Sequence, residues 1–187
     1  MLGGWGRRRN GIGLAGLFAA VLALGACGSN RIEVERIVAL PADAPAATYV
    51  VVRAKAQDHA KDYPKYADQI AAQLAAKGFT RVEAARQAKY ALMFSYDGDG
   101  SGGGMGSMDV YRHDKKPEGK VEHTVSIALF DLSRPDRPDE KVFGGRASCK
   151  VETPHVDIVI ASLIEAVLID FPGKARETYT VKLPPLE

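Results

Sequence analysis

The chain has 187 residues, with 25 Lys and Arg against 23 Asp and Glu. Three of these bases, Arg7, Arg8 and Arg9, lie within the first 26 residues, which contain no acid, so the remaining 161 residues carry 22 bases against 23 acids. A segment of that length forms one domain with a sizeable core, and its balanced charge excludes the strongly basic surface typical of nucleic-acid-binding proteins.

The first element in the chain is a leader. The basic residues Arg7 to Arg9 favour retention of that end on the cytoplasmic side of a membrane. The uncharged segment 11–26 would span only about 24 Å as a helix, whereas a stable membrane helix needs roughly 20 apolar residues. Gly25 and Ala26 are small enough for a peptidase to approach closely, and the Cys27 thiol that follows is a nucleophile on which a lipid can be built.

Leu24, Gly25, Ala26 and Cys27, in that order after the apolar segment, resemble the lipid-attachment box of bacterial lipoproteins. The resemblance implies cleavage between Ala26 and Cys27, so that residues 1–26 are a lipoprotein signal peptide, and attachment of a diacylglyceryl group to Cys27. A non-cleaved anchor helix with a chance cysteine is the alternative. The next residue is Gly28, not the Asp that marks inner-membrane retention in enteric bacteria. The resemblance therefore implies the periplasmic face of the outer membrane, with the inner membrane as the alternative.

Residues 27–47 are interpreted as a lipidated tether and linker. Within this segment, residues 32–38 alternate apolar and charged side chains and indicate a short strand, before Pro41 and Pro45 interrupt any regular element. The domain itself is predicted to span residues 48–187.

Two helices are predicted in this domain, from Asp62 to Lys77 and from His155 to Phe171, because apolar residues recur at helical spacing in both. Pro64 lies near the start of the first helix, and Gly78 follows its end. The second helix is apolar over a broad face and must pack on the sheet.

Segments rich in β-branched or alternating apolar residues predict strands around these helices. A turn with two prolines separates the segments 121–132 and 141–151, which are expected to form a hairpin. Because strands and helices mix without a regular βαβ repeat, the expected fold class is α+β: a mainly antiparallel sheet of about five strands with two helices packed on one face. The candidate strands of the domain are 48–53, 79–82, 90–96, 121–132, 141–151 and, at an edge, 178–183.

Short motifs in this domain carry a second resemblance. They are Leu74 to Phe79, the strand Tyr90 to Tyr96, Phe130-Asp131, Val142 to Ala147 and the helix end at Phe171-Pro172. In this order they resemble an uncharacterised bacterial lipoprotein family, the domain of unknown function four-one-three-six. Two features depart from the family: a Phe stands where it often has Trp in the Val142 to Ala147 motif, and the Gly-rich loop is longer. Because the family has no established activity, the resemblance implies a fold and an envelope location but no mechanism.

The Gly-rich segment 97–120 is predicted to be a long loop. Gly98, Gly100 and Gly103 match the spacing of a dinucleotide fingerprint, but no helix follows to receive a pyrophosphate. The segment beginning at Asp97 also imitates a calcium loop, yet its twelfth position is a methionine and not a bidentate Glu. The sequence therefore predicts no cofactor and no metal.

Cys149 has no second cysteine to pair with once Cys27 is lipidated. It shares its strand parity with Phe143 and Ala147, which predicts a buried apolar position, and a catalytic or intermolecularly paired thiol is the alternative. The histidines have no metal-ligand spacing, and His123 alone shares parity with apolar neighbours, which predicts a half-buried, hydrogen-bonded ring. The four histidines are His59, His113, His123 and His155.

These features together predict a membrane-anchored, periplasm-facing lipoprotein of the bacterial cell envelope with a non-enzymatic structural or interaction role. Its expected partners are the membrane, through acyl chains on Cys27, and another envelope protein. The alternative is an accessory lipoprotein subunit of a trans-envelope transport or assembly complex, and an enzyme or small-ligand sensor is the third hypothesis.

Overall fold

The computed structural model describes residues 31–40, 44, 47–58, 60–97, 120–134, 136–137, 140–152 and 155–185. The predicted leader and all of the Gly-rich loop except its two end residues lie outside these ranges.

The described residues form one seven-stranded sheet and two helices. In order across the sheet, the strands are β3-β2-β4-β5-β6-β1-β7. The strands are β1 Arg31–Val38, β2 Thr48–Val51, β3 Thr80–Arg81, β4 Tyr90–Asp97, β5 Val121–Asp131, β6 Lys141–Val151 and β7 Arg176–Lys182, and the helices are α1 Tyr63–Ala75 and α2 Val156–Leu168.

The predicted α+β class is confirmed, but the expected number of about five strands is wrong. The sheet is also mixed, because β2 runs parallel to both β3 and β4. Helix α1 connects β2 to β3 and returns the chain to the end where β2 began, which makes this pair parallel. The remaining pairs are antiparallel, and they include the predicted hairpin of β5 and β6.

The predicted domain boundary at residue 48 lies too late in the chain. Strand β1 is antiparallel to β6 on one side and to β7 on the other, so it belongs to the interior of the sheet. Its alternating residues Ile32 and Val34 are buried in the main core. The interpretation of residues 27–47 as tether and linker is therefore wrong for 31–38, because these residues hold β7 to the rest of the sheet.

Both helices cover the same face of the sheet, as predicted. On α1, the Tyr63 ring stacks on Phe94 of β4 at 4.2 Å between centroids, and the Tyr66 ring meets the edge of Tyr96 at 4.7 Å. Helix α2 packs on β5, β6 and β1. Its buried residues are Val159, Ile160, Leu163, Ile164, Ala166, Val167 and Leu168. The other face of the sheet carries no helix in the described part of the chain.

The Gly-Gly pair in β6 allows α2 to approach this strand closely. A Cβ atom added at Gly145 would lie 2.5 Å from Cγ1 of Val167, which is closer than carbon atoms can pack. The neighbouring Gly144 points to the other face, where an added Cβ would lie 3.7 Å from Cδ of Lys141. Only Gly145 is therefore required by the packing of the helix.

A buried arginine that the sequence analysis did not identify fixes the carboxyl end of α2. Arg36 of β1 is 3% exposed, and its Nη1 donates to the carbonyl oxygens of Val167, at 3.3 Å, and Ile169. Its Nη2 donates to Oε1 of Glu177 in β7, and the guanidinium lies 4.7 Å from the centroid of the Tyr179 ring. A cation at this end satisfies the free helix carbonyls and the negative end of the helix dipole.

Candidate functional site

The residues of the predicted lipid-attachment box, Leu24, Gly25, Ala26 and Cys27, lie outside the described residues. The first described residue, Arg31, is also the first residue of β1. Four residue steps separate it from Cys27, a distance of at most about 14 Å even when the chain is fully extended. A lipid on Cys27 would therefore be held close to the end of the sheet at which β1 begins.

Five strand ends meet at this end of the sheet, which we call the Arg31 rim: Arg31, Asp97, Val121, Val151 and Lys182. The register brings them together, because Arg31 pairs with Lys182 and Val121 pairs with Val151. Asp97 pairs with Thr124, three residues into β5. Both ends of the Gly-rich segment 97–120 are attached at this rim.

On the helix-covered face, the rim contains a cross-strand pair of His123 and Cys149. Both side chains are buried, at 3% and 4% exposure, so the predicted burial of Cys149 is confirmed. Burial, together with the charge of Glu122, raises the pKa of the Cys149 thiol to about 11. Because the thiolate is the nucleophile, a thiol held in its protonated form is a poor candidate for covalent catalysis.

The prediction that the His123 ring is half-buried is wrong. The ring is buried, and its Nδ1 has no hydrogen-bond partner within the described part of the chain. His123 pairs with Cys149 in the register of the β5–β6 hairpin. The predicted hairpin was therefore the sequence feature that could have placed these two residues together. Among the described residues no group of three or more His, Cys, Asp or Glu side chains could hold a metal ion. His155 precedes α2, and His59 and His113 lie outside the described ranges.

Asp97 is the one described residue of the calcium-like and dinucleotide-like motifs. Its Oδ1 accepts a hydrogen bond from the backbone N–H of Thr124 at 3.0 Å. The carboxylate therefore connects the end of β4 to β5. Burial raises the pKa of Asp97 above its ordinary value, and the hydrogen bond from Thr124 offsets this only in part. The motif glycines Gly98, Gly100 and Gly103 lie outside the described residues.

The uncovered face of the sheet has two chemically different halves. Its β2–β4–β5 half is apolar, with buried Val50 and Ala91 and half-buried Met93, Ala128 and Phe130. Its β6–β1–β7 half is polar and charged. Three of its bases, Arg31, Lys150 and Lys182, lie at the Arg31 rim. The exposed charged residues of this half are Arg31, Glu33, Glu35, Lys141, Arg146, Lys150, Arg176 and Lys182.

Neither described helix is long and apolar enough to cross a membrane. Each of the two α-helices has 13 residues.

The sequence matches no protein-family profile, and no curated protein is significantly similar to it. Among solved structures, it is similar to the PelC dodecamer from Paraburkholderia phytofirmans, with 19% identity, coverage of 73% of this chain and 94% of that chain, and a TM-score of 0.47. It is also similar to a PDZ domain protein from Parabacteroides distasonis, with 14% identity, coverage of 82% of this chain and 40% of that chain, and a TM-score of 0.49. With TM-scores below 0.5, these similarities assign no function. The resemblance to the domain of unknown function four-one-three-six stays a prediction, without a matching family profile.

Proposed function

We propose that this protein is a lipid-anchored, periplasm-facing lipoprotein of the bacterial cell envelope, with a non-enzymatic interaction role. The observation that carries the proposal is the box from Leu24 to Cys27, placed at the end of an apolar segment that follows three arginines. Cleavage before Cys27 leaves an amino-terminal cysteine that carries acyl chains. Two or three such chains give durable anchoring, at about 0.8 kcal/mol per buried CH₂ group.

The fold supports this proposal through the short connection between Cys27 and β1. Processing at Ala26 would remove the leader and leave only residues 28–30 between the lipid and the sheet. The domain is then held against the membrane surface, and it contacts partners there instead of reaching across the periplasm on a long tether. The outer membrane is the proposed location, because Gly28 follows Cys27, with the inner membrane as the alternative.

The uncovered face of the sheet is the surface that we propose for an envelope protein partner. Its apolar half contains the side chains of Met93, Ala128 and Phe130, which are only half-buried. Apolar area left in contact with water on one face of a sheet favours association. An accessory subunit of a trans-envelope transport or assembly complex is the second proposal, since a stable complex would cover this same half. Co-purification of a transporter or an assembly complex in mild detergent would distinguish it from a looser interaction.

Lipidation is tested by metabolic labelling with radioactive palmitate. The chain has two cysteines, which provides a matched control. Cys27→Ser is expected to abolish labelling and to leave an uncleaved precursor, whereas Cys149→Ala is expected to retain both labelling and processing. Continued labelling of Cys27→Ser would contradict the proposal.

A further inference from the structure

His123 of β5 and Cys149 of β6 lie directly opposite each other in one cross-strand row on the helix-covered face of the sheet. Continuation of the β1–β6 register places Ile32 next in this row, on the other side of Cys149. All three side chains are buried. Side chains that pair across antiparallel strands have Cβ atoms about 4.5 to 5.5 Å apart. The imidazole and the thiol are therefore within reach of one another.

The His123 imidazole has no polar neighbour that satisfies it. Its Nδ1 is buried and takes part in no hydrogen bond within the described part of the chain. The residues of α2 that are buried over β5 and β6 are all apolar. On the β4 side, Tyr96 lies diagonally across from His123, and its ring packs against Tyr66.

On β5 and β6, Cys149 is the one neighbour of His123 on this face whose side chain carries a heteroatom. The other neighbours, along β5 and diagonally on β6, are Val121, Val125, Ala147 and Val151. Buried polar side-chain atoms in folded proteins have hydrogen-bond partners in the large majority of cases, so each exception requires an explanation. An unpartnered nitrogen beside a thiol indicates a ligand that both side chains share.

A thiolate and an imidazole are the side chains that bind soft metal ions. Zinc complexes, with about 2.3 Å to sulfur and about 2.0 Å to imidazole nitrogen, indicate that an ion between the two holds them at most roughly 4.3 Å apart. Rotation of the His123 and Cys149 side chains reaches this separation from directly opposed positions on the strands. The sequence did not indicate such a site, because the two ligands are 26 residues apart and meet only through the hairpin register.

The number and charge of these ligands select the ion. Zn²⁺ takes four ligands in structural sites, and the described ranges contain no group of three or more His, Cys, Asp or Glu side chains that could hold a metal. Cu⁺ and Ag⁺ form stable two-coordinate complexes. One thiolate, one neutral imidazole and one monovalent cation give a complex without net charge, which avoids the cost of an uncompensated charge in the core.

We propose that His123 and Cys149 form a two-coordinate site for a soft monovalent cation of the Cu⁺ and Ag⁺ class, held between Nδ1 and Sγ. The S–H bond breaks, its proton leaves to solvent and a sulfur–metal bond forms, while the oxidation state of the ion stays unchanged. The ion enters from the Arg31 rim, where only the row of Val121 and Val151 lies beyond the pair and Val121 is half-buried. A bare ion needs a much smaller opening than an organic thiol reagent.

The test titrates Ag⁺ into the full-length protein in detergent, in chloride-free buffer and against a competing chelator. Unmodified protein is compared with Cys149→Ser and with His123→Leu, which removes the nitrogen ligand but keeps an apolar-compatible volume in the core. The control is His155→Leu, which alters an exposed histidine just before α2. Because Cys27 is present in every protein, the difference from Cys149→Ser counts ions at this site alone, whether or not Cys27 carries a lipid.

The unmodified protein is expected to bind one Ag⁺ more than Cys149→Ser. Burial keeps the thiol protonated at neutral pH by raising its pKa to about 11, so this ion is expected to release one proton. His123→Leu is expected to weaken the affinity more than about 100-fold, because loss of a second-shell contact alone costs 10- to 100-fold. His155→Leu is expected to bind like the unmodified protein.

Thermal unfolding distinguishes this site from a thiol that reacts only when the chain unfolds. An ion that binds the folded state raises the Tm, whereas an ion that binds only the unfolded chain lowers it. We expect Ag⁺ to raise the Tm of the unmodified protein relative to Cys149→Ser. A lowered Tm overturns the inference, as does a His123→Leu protein that binds Ag⁺ as tightly as the unmodified one.

X-ray absorption of the Ag⁺-loaded unmodified protein keeps the inference testable if His123→Leu does not fold. Subtraction of the Cys149→Ser spectrum isolates the ion at this site, and one sulfur and one nitrogen neighbour are expected. Sulfur neighbours alone would show an ion held by thiols without His123 and would overturn the inference. None of these results depends on the proposed lipid anchor, which labelling of Cys27 tests separately.

Discussion

Arg36 on β1 and Glu177 on β7 form an ion pair through Nη2 and Oε1, in which the arginine side chain is 2% exposed and the glutamate side chain 21% exposed. The same guanidinium donates to carbonyl oxygens at the end of α2. Partial burial acts to raise the pKa of Glu177, but the hydrogen bond from the Lys174 N–H and the charge of Arg36 hold it below its usual range. One side chain thus connects the strand nearest to the proposed anchor with β7 and with the helix that covers both.

Replacing Arg36 is expected to destabilise the whole domain. Arg36→Met removes the buried guanidinium that donates to the helix carbonyls of Val167 and Ile169, so we expect the free energy of unfolding to fall by about 2 kcal/mol. The control is Arg81→Met, which removes a pair with Asp68 at 3.1 Å whose side chains are well exposed. That change is expected to cost less than about 1 kcal/mol. Equal losses in urea denaturation would contradict the role assigned to Arg36.

The two adjacent glycines of β6 are expected to respond differently to alanine. Gly145→Ala places a methyl group against Val167 and is expected to reduce the free energy of unfolding by about 1 to 3 kcal/mol through overpacking. Gly144→Ala has room for the methyl group and is expected to be neutral or slightly stabilising. Thermal unfolding of both variants checks this, and a larger loss for Gly144→Ala would show that α2 does not pack as described.

Cys149 is expected to resist thiol reagents in the native protein. At pH 8 its thiol is protonated and buried, so modification should require unfolding, and fast reaction of the folded acylated protein would count against the described core. Because burial raises its pKa from 9.0 to about 11, its contribution to stability is complete below pH 9. It is lost as the pH rises towards 11. Cys149→Ala should remove this part of the alkaline pH dependence in denaturation curves.

Ionisation of the Asp97 carboxyl is expected to lower the free energy of unfolding. Its pKa is raised in the folded state, so its stabilising contribution is present below the ordinary value of 3.8 and is lost as the pH rises through the folded pKa. Asp97→Asn keeps an oxygen acceptor for the Thr124 N–H without the charge. We expect this variant to be more stable than the unmodified protein at pH 7 and equally stable near pH 3. Asp97→Ala, which removes the acceptor, should be less stable than Asp97→Asn at both values.

Much of the fold could be predicted from local patterns. The alternation of Val125 and Ile127 predicted β5, and the apolar spacing in α2 predicted a helix packed on the sheet. The position of β1 could not be predicted in this way, because its partners β6 and β7 lie more than 100 residues away in the chain. The burial of Arg36 could not be predicted for the same reason. Its hydrogen-bond acceptors lie at the end of α2, more than 100 residues away in the chain, and without them a charged residue in an alternating strand is expected to be exposed.

The candidate site was predictable in one part only. Cys27 is identified by a local motif, and no distant contact is needed to recognise it. The Arg31 rim depends on the pairing of Arg31 with Lys182, which brings together residues at opposite ends of the domain sequence. The pairing of His123 with Cys149 was accessible from the hairpin register, but the burial of the His123 ring depends on the packing of the helices over that face.

Mass spectrometry of the amino-terminal peptide of the membrane-extracted protein determines whether Cys27 carries the lipid that we propose holds this domain at the membrane. We expect a peptide that begins at Cys27, with a diacylglyceryl group on the thiol. A peptide that retains residues from the segment 1–26, or that begins at an unmodified Cys27, would contradict it.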